Sequence, residues 1–423
     1  MLYRRLGCAI ALTCITAAAS VAADPLSLDT LDMLQAAFHS YAAGPVRAEG
    51  MTPGLTINQQ NCQLAASLLP VEVLQRVQAG DFTMTIQETT DLPPRESYVT
   101  ATINQFLAIS LDGGYKINDY RGGRPFPVID PADPRAGEKV AWNLRYRDVP
   151  DTMEMRGVMD GVTNAGIVDR SSTGRMRVRY GMDRVGEETN DPQWESQGVR
   201  VKASFEALAP SDVEGNMRIT TYFADEHYPT VDLSYSPQNR RTRKSYVNML
   251  AKMGGGRYDV LQEEQPPFFF TGYIHEYNWT YKGEQIMLAP GFLRAARLAF
   301  GGKNNWYPEV PWELRKVIIL ESTPKGAHSY GKRIFYIDAQ TYVPLYILSY
   351  DTQGVFVRLS IIVHGNPDFA PGANGIRLPV PLGATWISYP QDQAYRMTTF
   401  DPSFNQDFSP RRFELLELLR KGK

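Results

Sequence analysis

Cysteine is nearly absent from this chain. Of three in 423 residues, Cys8 and Cys14 fall at the very start, and Cys62 by itself makes no intramolecular disulfide. Stability must therefore come from a packed core and not from cross-links. Cys62 sits in Cys62-Gln63-Leu64-Ala65-Ala66-Ser67-Leu68-Leu69, a helical face on which a thiol serves as a small buried hydrophobe; a catalytic thiol is the alternative reading. An excess of positive charge is also missing. Forty-four Lys and Arg against 46 Asp and Glu leave a net charge of −2, which argues against nucleic acid as the main partner. No apolar run reaches the ~20 residues a membrane-spanning helix needs.

Catalytic signatures are scarce as well. The chain has no Gly-x-Ser-x-Gly elbow, no His-Glu-x-x-His helix and no phosphate-cradling Gly-x-x-x-x-Gly-Lys-Ser/Thr loop. The five histidines, His39, His227, His275, His328 and His364, lie far apart with no second ligand at metal-site spacing, so neither metal nor cofactor is expected. Ser322-Thr323-Pro324-Lys325 and Ser329-Tyr330-Gly331-Lys332 satisfy a Ser-x-x-Lys pattern, but they fall in a hairpin turn instead of at a helix start and read as coincidence.

What is present begins with an export signal. Arg4 and Arg5 precede an apolar stretch that ends in small residues, and Ser20-Val21-Ala22-Ala23 fits a signal peptidase site with cleavage after Ala23. Residues 1–23 are thus the signal, and the mature protein is expected in the periplasm, with peripheral membrane association left open. Neither Cys8 nor Cys14 follows the leucine-small-small pattern of lipid attachment. The remainder has 43% hydrophobic and 21% charged residues, ordinary globular material.

Residues 24–80 read as a helical segment, with Leu28, Leu31, Leu34 and Phe38 near helical spacing, a second stretch around Pro70, and Gly80 as a stop. Residues 81–423 read as an antiparallel β domain with a possible joint at 254–256. Runs at 139–147 and 176–180 are plausible strands, and those at 317–323, 333–337, 342–350 and 355–363, separated by turn residues, indicate a meander. The expected class is mainly β with N-terminal helices.

Aromatics are plentiful, with 23 Tyr, 18 Phe and 6 Trp. If 271–281 is one strand, Tyr273, His275, Tyr277, Trp279 and Tyr281 share a face, either packed as core or lining a groove. Arg240-Arg241-Thr242-Arg243-Lys244 is either a solvated run or a contact for anionic head groups or an acidic partner. Asp232 and Asp259 are candidates for internal ion pairs.

Gly122-Gly123-Arg124-Pro125-Phe126-Pro127, then Gly137-Glu138-Lys139-Val140-Ala141-Trp142-Asn143 and Arg145-Tyr146-Arg147, resemble the motif series of the DUF1329 family of exported proteobacterial proteins. Tyr235-Ser236-Pro237-Gln238-Asn239-Arg240-Arg241, Trp279-Thr280-Tyr281-Lys282-Gly283 and the hairpin from Trp312 to Asp338 continue it in order. The hairpin tip, Gly326-Ala327-His328-Ser329-Tyr330, departs from the family's pattern. The resemblance implies a fold like the lipoprotein carriers LolA and LolB, a large, incompletely closed antiparallel barrel with helices against its concave side, and association with RND-type export pumps. The expected function is a carrier for a hydrophobic or lipid-like ligand, held by Tyr273, Tyr277, Trp279, Tyr281, Trp142 and Phe126, with Arg240, Arg241 and Arg243 meeting head groups, an RND transporter or an outer-membrane partner. A polysaccharide-binding protein or hydrolase is the alternative, since exposed aromatics beside carboxylates also suit sugars. A structural envelope protein is the third reading.

Overall fold

The computed structural model describes residues 27–186, 190–256, 258–369, 375–406, 408–414 and 416–417. The expected export signal, residues 1–23, lies outside them. Helix α1 (Leu28–Ala36) starts at Ser27, whose hydroxyl accepts the N–H of Thr30. Strand β1 (Thr56–Ile57) precedes a 3-10 turn, Cys62–Leu68, and helix α2 (Val71–Gln78). Val73 and Val77, one turn apart, are the buried face of α2, and Gly80 at φ +77° ends it as expected. Cys62 is buried in the same apolar cluster.

After β2 (Met84–Ile86) come α3 (Glu96–Gln105), the two-residue strands β3 (Ser110–Leu111) and β4 (Ile117–Asn118), and α4 (Ala136–Arg145). Helix α4 corrects the expected strand at 139–147. Its buried residues Ala136, Gly137, Val140, Ala141 and Leu144 recur at three and four, the helical period. Trp142 and Asn143 are buried as well, which blurs that period in the sequence because the helix is covered on more than one side.

The sheet is built from β5 (Thr152–Thr163), β6 (Val168–Tyr180), short helix α5 (Pro192–Ser196), then β7 (Val199–Ala209), β8 (Met217–Phe223), β9 (Val231–Ser236) and β10 (Arg241–Tyr246). There follow β11 (Tyr277–Pro290), the small pair β12 (Phe300–Gly301) and β13 (Tyr307–Pro308), and the long hairpin β14 (Pro311–Pro324) and β15 (Lys332–Asp338). β16 (Pro344–Tyr350), β17 (Phe356–Gly365), β18 (Val380–Ser388) and β19 (Gln393–Phe404) complete it. The four strand runs read from the C-terminal half are β14 to β17.

Among the described residues fifteen strands form one sheet, in the order β1-β2-β14-β15-β16-β17-β18-β19-β5-β6-β7-β8-β9-β10, with β11 on the other side of β14. Pairing is antiparallel except where β2 meets β14. The last strand, β19, lies between β18 and β5 and so joins the two halves of the chain. The sheet is not closed. It curls far enough for the Tyr346 hydroxyl on β16 to donate to the carbonyl of Leu288 on β11, 3.2 Å away, and for Leu293 to bridge Gly365 at the end of β17.

Strand alternation divides the core. On β15, Ile334 and Tyr336 face the α2 side, while Phe335 and Ile337 face the α4 side. The first face is filled by the segment carrying Ile57, Cys62, Val73, Val77, Phe82 and Met84. The second is covered by α4 and by residues 258–276. Every residue of β16 and β18 is buried, because both faces are covered there.

Candidate functional site

The site is the seam between the second face of the sheet and its cover. β11 begins only at Tyr277, because Ile274–Glu276 forms a 3-10 turn, so 271–281 is not one strand. Tyr273 leaves the aromatic face; its hydroxyl accepts the N–H of Thr230 at 2.8 Å and its ring packs in a different cluster. Tyr277, Trp279 and Tyr281 do alternate onto one side, where they meet Trp142 and Phe126. Phe270 from the cover stands edge-on to Tyr277, Trp279 and Phe335. Asn143 of α4 clasps Phe126 through both its backbone groups. A side chain at Gly137 would collide with the carbonyl of Trp279, so helix and strand touch backbone to backbone. The aromatics thus lie between two layers, with Tyr277, Trp142 and Phe126 buried and Trp279 and Tyr281 half-buried.

The cover is also pinned by charge. Its 3-10 turn Gln262–Glu264 carries two adjacent buried carboxylates. Glu263 receives Arg333 of β15 at 2.6 Å, the ring of His328 at 3.2 Å and the hydroxyl of Tyr277 at 2.6 Å. Burial pushes Glu263 up, but Arg333, His328 and Tyr277 together hold it below the usual carboxylate value. Glu264 meets Arg358 of β17 at 3.2 Å, and Arg358 also reaches Asp259 at 2.5 Å. For Glu264 burial outweighs Arg358 and Arg333, and its carboxyl is raised. Glu226 completes the seam: it takes Arg145 of α4, the backbone N–H of Ile274 at 2.9 Å and the His275 ring at 2.8 Å. Asp259 and Asp232 both enter ion pairs, the latter with Arg218 at 3.9 Å. Sequence reasoning missed Glu263, Glu264, Arg333 and Arg358. The available signal was an arginine inside an apolar strand, since such a charge is rarely buried without a partner.

The other candidate residues lie elsewhere. Arg240 occupies the β9–β10 turn at φ +48°, and Arg241 and Arg243 project exposed from β10, the edge strand. Charged side chains on an edge discourage pairing with a further strand. Two of the histidines, His227 and His275, stack on the ring of Tyr115 at 3.9 and 4.2 Å; His364 is buried and pushed down to about 3, by desolvation first and Arg147 second, while His39 and His227 sit beside Glu284 and Asp225. Among the described residues no cluster of three or more His, Cys, Asp or Glu could hold a metal, and no helix is long and apolar enough to cross a membrane. A cavity of about 40 Å³ opens near the C-terminal end of α4, beside an open groove of about 500 Å³ along α3.

The family described as "Protein of unknown function (DUF1329)" matches over residues 56–390. No curated protein matches the chain. Among solved structures it is similar to a DUF1329 family protein from Desulfovibrio piger, with 15% identity over 68% of this chain and 100% of that one and a TM-score of 0.48. It is also similar to a LolA superfamily protein from Nitrosomonas europaea, with 9% identity over 65% and 94% of the two chains and a TM-score of 0.38.

Proposed function

As the chain belongs to the DUF1329 family, a grouping by sequence and not by activity, we propose from its geometry that it is a periplasmic carrier or binding protein for a hydrophobic or lipid-like molecule. The observation that carries this reading is the charged seam. An aromatic sheet face is covered by a layer that pairs with it through Glu263–Arg333, Glu264–Arg358 and Glu226–Arg145 and, among the described residues, shares no strand ladder with it. Buried ion pairs recover little of their desolvation cost, so they position a layer without gluing it. When the cover lifts, those charges regain water, and opening costs less than it would for an apolar seam of equal area. The lifted cover would uncover Tyr277, Trp279, Tyr281, Trp142 and Phe126 for a ligand; Tyr273 would flank them from the cover.

Export by residues 1–23 and contact of Arg240, Arg241 and Arg243 with head groups, an RND transporter or an outer-membrane partner belong to the same proposal. The test uses protein purified from the periplasm without detergent. Organic extraction should release a stoichiometric lipid-like compound, and the stripped protein should bind N-phenyl-1-naphthylamine saturably, displaced by the extract. Recovery of only traces, together with no rise in probe fluorescence, would sink the carrier reading.

A further inference from the structure

We infer that the pocket under Arg200 is a binding site for the carboxylate end of an organic acid whose body lies in the neighbouring groove. The pocket is walled by Arg95 at the start of α3 and Tyr98 within it, the end of α4 with Arg145 to Asp148, the β6–β7 connection with Asp183 and Arg184, and Arg200 of β7. This is a different place from the seam, and the inference goes beyond the carrier reading.

Charge in these walls does not balance. Arg95 pairs with Asp148 at 2.7 Å, Arg184 with Asp151 at 3.5 Å, and Arg145 with Glu226 outside the pocket. Arg147 gives its N–H groups to the carbonyls of Leu144, Pro267 and Phe268. Arg200 is different. It is 5% exposed, its Nε has no hydrogen-bond partner, and no hydrogen bond or ion pair of the described residues involves its guanidinium. The Tyr146 ring lies 5.9 Å from its guanidinium carbon, and Arg145 and Arg147 add like charge from the end of α4. The remaining carboxyl, Asp183, is pushed up to about 7 by burial and supplies an incomplete countercharge.

A buried guanidinium without an anion is costly, and a sequence keeps such a group where a ligand completes it. The cavity of about 40 Å³ holds only a few water-sized positions, the space of a carboxylate. A guanidinium grips that group through two parallel N–H bonds. Arg184 and Val185 line the cavity and also the open groove of about 500 Å³, which runs past Thr100, Ala101, Asn104 and Arg121. That volume is in the range of a small-molecule site, so the geometry seats an acid end inside and a larger body along α3.

The test is calorimetric titration of the full mature chain with acetate, octanoate and octyl phosphate. Octanoate should bind saturably, more tightly than acetate and than octyl phosphate. R200Q should weaken octanoate by about tenfold or more and raise the melting temperature of the empty protein, because a buried unpaired charge is gone. R200K, which keeps the charge without the fork, should fold and weaken octanoate by a smaller factor. N104W fills the groove from an exposed position and should bring octanoate down to the affinity of acetate. The inference is overturned if the unaltered chain does not bind octanoate, or if R200Q and R200K leave its affinity unchanged. Tighter binding of octyl phosphate overturns the carboxylate assignment, and unchanged octanoate binding in N104W overturns the placement of the body.

Discussion

Asp183 shows how one side chain makes stability depend on pH. Burial pushes its carboxyl up to about 7, with Arg121 opposing, Glu195 adding and Arg200 opposing. Below the ordinary value of 3.8 both folded and unfolded chains hold this proton. Between about 4 and 7 the unfolded chain has lost it and the folded chain keeps it, so this residue makes stability fall as pH rises through that window and adds no slope above it. Asp183→Asn removes the dependence. Its advantage over the unaltered protein in urea-unfolding midpoints should be absent near pH 4 and grow until about pH 7; a constant difference across that range would refute the account. Nothing in Gly181-Met182-Asp183-Arg184 announced this, because burial is decided by Tyr120, Tyr146 and Arg200. Arg200 was equally illegible, since Val199-Arg200-Val201-Lys202 reads as an ordinary half-exposed strand.

Helix α4 is held by the absence of a side chain. Gly137→Ala would raise intrinsic helix propensity by ~1 kcal/mol, yet its methyl would strike the Trp279 carbonyl, which belongs to a strand and cannot swing away. Forced repacking of this kind costs ~1–3 kcal/mol. We expect a net loss of stability, with a lower urea midpoint; a gain would mean that α4 sits off β11. Elements differ in how far they could be read. β14 to β17 were legible because turn residues punctuate them, although both their faces are buried in part. α4 was not, because a helix covered on several sides loses its polar stripe. The aromatic face was half legible: parity placed Tyr277, Trp279 and Tyr281 together, and the 3-10 turn at Ile274–Glu276 took Tyr273 away. The basic run was visible as charge, but its position on the edge strand depends on which strand pairs last.

At the scale of the molecule, the seam ties sheet to cover. Arg333→Met alone strands Glu263 without its guanidinium and should cost ~3–5 kcal/mol, whereas Glu263→Gln with Arg333→Met removes both charges and should be close to neutral. If the seam is what lets the cover lift, the double variant should also exchange N-phenyl-1-naphthylamine more slowly in stopped-flow fluorescence; equal exchange rates would separate the seam from opening. The placement of β19 carries a different consequence. It follows both β5 and β18 in the chain yet lies between them, setting Ser403 opposite Glu154 across a sequence separation of about 250 residues. Until that strand arrives, β5 and β18 both present open ladders, and no growing fragment can complete the sheet. Pairings so far apart in sequence slow folding, so the two halves of the sheet become one ladder only when β19 docks between them.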